Sequence, residues 1–138
     1  MEKFHVSTVR ALVIDDDASS RSLLIRLLTT MGAATVQEAD NGSDGLRLAF
    51  SEPLPHLIIS DLHMDPVDGL SVLGAVRASI NSRIAAIPVV IFTAAADQTL
   101  MQRAMQEGAT SAIPKPFSPR GLSELLRHVV KEQVRNPG

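Results

Sequence analysis

The chain has 138 residues, with 13 basic against 15 acidic side chains and a net charge of −2. That is the size of a single domain, which buries roughly two-thirds of its unfolded surface and folds without disulfide or metal staples. There is no cysteine, and the aromatic side chains are four Phe with no Tyr and no Trp; this excludes a disulfide scaffold, a thiolate zinc site and a cysteine nucleophile, and with no basic excess and few rings it argues against direct nucleic-acid binding.

The first ten residues are mixed polar, without an apolar core of signal-peptide length. The longest apolar runs, such as Val89 to Phe92, fall far short of the ~20 residues that cross a bilayer. The expectation is a cytoplasmic protein with no membrane contact.

Taken in chain order, short apolar runs alternate with helical patterns. Val9 to Ile14 reads as a strand ending in Asp15-Asp16-Asp17. From Ser19 to Met31, Leu23, Leu24, Leu27, Leu28 and Met31 share one helical face, with Asp17 as N-cap and Gly32 just past the end. Ala34 to Ala39 is a second strand, Asn41-Gly42 a turn, and Asp44 to Phe50 a helix with Leu46, Ala49 and Phe50 inward, stopped by Pro53 and Pro55. His56 to Ser60 is a third strand, apolar enough to be covered on both faces. A loop over Asp65 to Gly69 leads to a helix over Leu70 to Ala78, and Asp68-Gly69 is the turn or helix start. Pro88 to Thr93 is a fourth buried strand. Asp97 to Glu107 is a fourth helix that packs Leu100, Met101, Ala104 and Met105 and closes at Gly108. Thr110 to Ile113 is a short fifth strand, and Ser118 to Arg135 a fifth helix with Leu122, Leu125, Leu126, Val129 and Val130 inside.

Five βα units in succession predict an α/β fold, a parallel sheet with helices on both faces and right-handed crossovers. Ligands of such sheets bind at the carboxyl ends of the strands. The residues there are Asp15, Asp16 and Asp17, then Asp61, Thr93 and Lys115. Clustered carboxylates repel unless a proton or a cation intervenes. Mg²⁺ suits them, because it takes oxygen ligands and keeps several waters. A lysine ammonium and a threonine hydroxyl suit phosphoryl oxygens, and an aspartate can attack phosphorus to give an acyl phosphate.

From Val9 to Val130 this pattern resembles the receiver domain of two-component response regulators, of the single-domain, chemotaxis-regulator kind. The motifs are Asp15-Asp16 after strand 1, Asp61 in Asp-Leu-His-Met-Asp-Pro-Val-Asp-Gly after strand 3, Thr93-Ala94 after strand 4, and Lys115-Pro116-Phe117 after strand 5. The resemblance implies a five-stranded, doubly wound (βα)5, flavodoxin-like fold, with the receiver domain at residues 9–131 and short flexible termini at 1–8 and 132–138. It implies that Asp61 accepts a phosphoryl group from a histidine kinase or histidine phosphotransfer protein. Asp16 would bind Mg²⁺ directly, Asp15 mostly through water, and the backbone carbonyl of His63 would complete the metal site with Asp61. Thr93 would hydrogen-bond the phosphoryl group and Lys115 would pair with it, with the Lys115–Pro116 bond cis. A downstream protein would meet the fourth helix, fifth strand and fifth helix, with the chain a monomer or a phosphorylation-dependent dimer. Slow self-phosphorylation from small donors and slow self-dephosphorylation are implied, but no enzyme of substrate turnover.

Three departures from the family pattern stand out. Asp65 occupies the usual place of a proline, and Pro66 follows it. Ala112 stands where an aromatic ring usually switches, so a cavity or a substitute residue is expected there, with Leu100 or Met101 taking over part of the movement. Pro114 precedes Lys115 and predicts that strand 5 is an edge or stops there. The departures raise a second expectation, a pseudo-receiver that binds proteins without using phosphate. An aspartate-nucleophile phosphatase is disfavoured, because His63 stands where its second aspartate belongs.

Overall fold

The computed structural model describes residues 8–94, 98–115 and 118–135. The elements are β1 (Arg10–Ile14), α1 (Ala18–Thr30), β2 (Thr35–Ala39), α2 (Gly42–Ala49), β3 (Leu57–Asp61), α3 (Gly69–Arg77), α4 (Ser82–Ala85), β4 (Val89–Thr93), α5 (Gln98–Gln106), β5 (Ser111–Pro114) and α6 (Pro119–Arg135). All strands are parallel, in the order β2-β1-β3-β4-β5. The fold is the expected doubly wound α/β sheet. The chain builds outward from β1 to β2, then returns to place β3 on the other side of β1. This reversal opens a crevice at the carboxyl ends of β1 and β3.

Strand alternation splits the core in two. One cluster joins Leu12, Ile14, Ile58, Val89 and Ile91 of the sheet to Ala49 of α2, Val72, Leu73 and Val76 of α3, and Ala104 of α5. The other joins Ala11, Val13, Leu57, Ile59, Val90 and Phe92 to Leu24 and Leu28 of α1 and to Leu122, Leu126 and Val129 of α6. Helices therefore cover both faces.

Several expectations need correction. A short helix, α4, interrupts the loop before β4; the Asn81 side chain accepts from the Arg83 N–H, and Ile84 is buried. Asn41-Gly42 is not a free turn. Asn41 is the N-cap of α2, its side chain accepting from the Asp44 N–H, and Gly42 is the first helical residue. Leu23, Phe50 and Met105 are exposed, although the periodicity placed them inward. Each lies beside a residue that takes the sheet-facing position: Leu24, Ala49 and Ala104 are buried. A narrow helical stripe holds only one of two neighbours.

Asp17 caps α1 as expected, and Gly32 follows the helix at φ +94°, the left-handed region that favours glycine. β5 is an edge strand whose last residue is the exposed Pro114. Helix α6 extends to Arg135 into the stretch expected as terminus. Residues 1–7 and 136–138, Asp97, and the Lys115–Pro116 bond fall outside the description. No helix among the described residues is long and apolar enough to cross a membrane.

Candidate functional site

Asp15 follows the last residue of β1 and is fully buried. Its backbone N–H donates to the Ala39 carbonyl at 3.1 Å, which extends the β1–β2 pairing. Its carboxylate accepts from the Asp17 N–H at 2.9 Å and from Lys115 Nζ at 3.0 Å. Asp16, next in the chain, is exposed. Asp61 is the last residue of β3, 7% exposed, with its carboxylate 3.7 Å from Lys115 Nζ. Ligand oxygens of Asp15, Asp16 and Asp61 all lie within 4.8 Å of one another. One ammonium thus faces two carboxylates, with a third beside them.

Electrostatics follow from this geometry. Burial pushes the Asp61 carboxyl up to about 6 from 3.8, against the opposing pull of the Lys115 ammonium; the charge and hydrogen bond of Asp15 push it further up. The site carries more negative charge than its own cation neutralises. A set of close, partly open carboxylates with oxygen donors only fits a hard divalent cation.

Thr93, fully buried, ends β4. Its carbonyl accepts the Lys115 N–H at 2.8 Å, so the β4–β5 pairing continues one residue past Pro114 and fixes where Lys115 begins. His63 lies exposed in the loop after β3, and its ring is not among the clustered side chains. Asp65 is exposed and also outside the cluster. Ala112 is half-buried and packs, with Leu100, against the cluster that holds Ile91 and Ala104. A surface cleft of about 510 Å³ lies elsewhere along β5, lined by Ser111, Ile113, Gly121, Leu125 and His128 among others; Ala112 does not line it.

Sequence reading missed three supports of this site. A Cβ on Gly69 would lie 2.3 Å from the Asp61 carbonyl oxygen and 2.9 Å from Leu62 Cα, so only glycine lets α3 start against the end of β3. The Gly69 N–H donates to the Leu62 carbonyl at 2.9 Å, closing that loop. Arg21 of α1 donates from Nη1 to the Asp15 carbonyl at 2.8 Å and pairs through Nε with Glu38 of β2 at 2.8 Å. The third is Phe92: Lys115 Nζ sits 4.7 Å from the centre of its ring. The Asp68-Gly69 dipeptide was a visible signal for the first. The other two depend on contacts between separate elements and leave no local trace.

Residues 11–127 match the model of the response regulator receiver domain family. A probable chemotaxis protein CheY of Rhizobium etli is 39% identical over 110 residues, covering 80% of this chain and 83% of that protein. Among solved structures, the chemotaxis protein CheY4 of Vibrio cholerae superposes with a TM-score of 0.78 at 29% identity, covering 88% of this chain and 98% of its own. A response regulator receiver domain protein from Clostridium thermocellum superposes with a TM-score of 0.81 at 25% identity, covering 91% of this chain and 96% of its own.

Proposed function

The chain belongs to the response regulator receiver domain family, and on that premise we propose that it is the phosphoacceptor of a two-component phosphorelay, with Asp61 as the acceptor. The observation that carries this reading is the convergence of Asp15, Asp16 and Asp61 on one mouth with Lys115 reaching two of them, at 3.0 and 3.7 Å.

An Asp61 carboxylate oxygen attacks the phosphorus of a phosphohistidine on a histidine kinase or phosphotransfer protein. An O–P bond forms as the P–N bond breaks, and the imidazole leaves with the electron pair and takes up a proton. Lys115 leaves its carboxylate partners to pair with a phosphoryl oxygen, and the Thr93 hydroxyl donates to another. Asp15, Asp16, Asp61 and the His63 backbone carbonyl would hold Mg²⁺. When bound, the cation neutralises the carboxylates and the charge on the transferring group. The acyl phosphate hydrolyses slowly, so the chain times a signal and does not turn over a substrate.

Phosphorylation adds roughly −1.5 to −2 charge at the mouth. That charge draws in Lys115 and Thr93, and with them the ends of β4 and β5, and biases the α5–β5–α6 surface toward a protein partner. Leu100, which packs against the same buried cluster as Ala112, carries the part of the switch that an aromatic ring would carry elsewhere. The receiver domain spans residues 9–131 and works in the cytoplasm.

Incubation with Mg²⁺ and acetyl phosphate, read by intact mass, tests the reading. The expected result is a gain of one phosphoryl group that disappears in Asp61→Asn. The absence of any gain in the unaltered chain would overturn it and leave a protein-binding module on a receiver fold, which the small residue at Ala112 would then explain.

A further inference from the structure

Lys115 directly follows the edge strand β5, and its two carboxylate partners stand at the end of β3 and just past the end of β1, on the far side of β4. Neighbouring strands are about 4.8 Å apart, so the ammonium must cross β4 to reach them. The register shows what it crosses. Asp61 pairs with Phe92, and Phe92 pairs with Ile113, in one row across the sheet. Phe92 and Ile113 share the face that α1 and α6 cover, and Lys115, two residues beyond Ile113, continues on that face. The ammonium lies 4.7 Å from the centre of the Phe92 ring.

We infer that Phe92 is a positioning residue, whose ring face holds the Lys115 ammonium across β4 and between Asp15 and Asp61. Three observations support a role beyond packing. Val89, Val90 and Ile91, the other apolar residues of β4, are aliphatic, so filling the core does not demand a ring. Phe92 is the one aromatic residue in the core among the described residues, in a chain with four Phe in all. The Lys115 side chain is only 14% exposed, so the attraction between ammonium and ring is weakly screened. A ring face also suits the proposed chemistry. A further carboxylate would lock the ammonium in place, and an aliphatic wall would attract it less. The π face steadies it and leaves its N–H groups free to turn to phosphoryl oxygens.

The functional readout of this inference rests on the proposed phosphoryl transfer, so the experiment has two arms. The first is NMR of the lysine Cε–Hε groups in the full chain. Only Lys3, Lys115 and Lys131 are present, and Lys115→Met assigns the signal. The Lys115 Hε resonance is expected upfield of the other two through the ring current, and back among them in Phe92→Leu; Phe92→Met serves if the leucine variant fails to fold. An unshifted Lys115 signal in the folded, unaltered chain overturns the inference. The second arm is a double-mutant cycle on the rate of labelling by acetyl phosphate with Mg²⁺. Phe92→Leu should slow labelling about 5-fold with Lys115 present and leave the rate unchanged in a Lys115→Met background. Equal slowing in both backgrounds reduces Phe92 to core packing and overturns the inference. Where that background labels too slowly to time, the NMR arm decides. An unaltered chain that takes no label while its Lys115 signal is shifted refutes the phosphoacceptor reading and leaves the ring–ammonium contact standing.

Discussion

At the amino end of the sheet, the Arg10 guanidinium donates to the Leu54 carbonyl at 3.1 and 2.9 Å, and the Arg10 backbone N–H donates to His56 Nδ1 at 3.0 Å. At the carboxyl end of the same strands, Asp15, Asp16 and Asp61 crowd together and Lys115 reaches only two of them. Hydrogen bonding does not distinguish the two ends, since among the described residues no buried side-chain polar atom lacks a partner. Charge does. The amino end pairs a cation with neutral acceptors and holds the ends of β1 and β3 together. The carboxyl end stores negative charge that folding alone does not offset. One end serves stability, and the other gives up some stability to hold three carboxylates close together, as the proposed phosphoryl transfer requires.

The two ends should therefore answer pH in opposite directions. The Asp61 carboxyl is raised to about 6 from 3.8, so the native state binds more protons than the unfolded state between about pH 4 and 6. Through Asp61, stability falls as pH rises across that window, on the order of 2–3 kcal/mol in all, and stays low above it. Asp61→Asn should abolish labelling, remove this fall and raise the stability of the metal-free chain above pH 6 by the same order. Urea denaturation at several pH values checks it. Adding Mg²⁺ at pH 7.5 should raise the denaturation midpoint of the unaltered chain more than that of the variant.

Gly69→Ala should come next, at about 1–3 kcal/mol of lost stability, since its Cβ meets the Asp61 carbonyl oxygen. It should also slow labelling, because relief requires the backbone at Asp61 and Leu62 to move. A variant with unchanged labelling would show that the loop yields without disturbing Asp61.

His56 sharpens the contrast from the other side. Burial, and then the Arg10 charge, lower its pKa below 6.5, so its native form binds fewer protons than the unfolded chain. Through His56, stability is full above about pH 6.5 and is lost as pH falls. His56→Ala should cost about 1 kcal/mol at pH 7.5, by leaving the Arg10 N–H without its acceptor, and should flatten the acid limb. The smallest effect belongs to an exposed ion pair. Arg83 and Glu52 pair at 3.2 Å with both side chains more than half exposed, and Arg83→Ala should shift stability by less than about 0.5 kcal/mol in the same denaturation assay.

Much of this was legible in the chain. The apolar runs and helical stripes placed all five strands and five of the six helices, because burial on two faces imposes a strong local pattern. The missing helix, α4, has one buried side chain, Ile84, and so almost no periodicity to read. The inward assignments of Leu23, Phe50 and Met105 failed for a related reason: spacing shows that one residue of a pair faces the sheet but not which. The acidic residues, Thr93 and Lys115 were readable because each stands beside a strand, where topology gathers side chains.

The sequence alone determined the strand ends and the residue types on them, since alternation and capping act over a few residues. It could not determine that Lys115 spans β4 to meet Asp15, one hundred residues away, that Gly69 must lack a side chain because Asp61 lies against it, or that the buried ring at Phe92 lies beneath an ammonium. Those facts depend on the strand order and the register between β3, β4 and β5. Strand order and register are settled by how distant segments pack, and no local stretch of the chain encodes them.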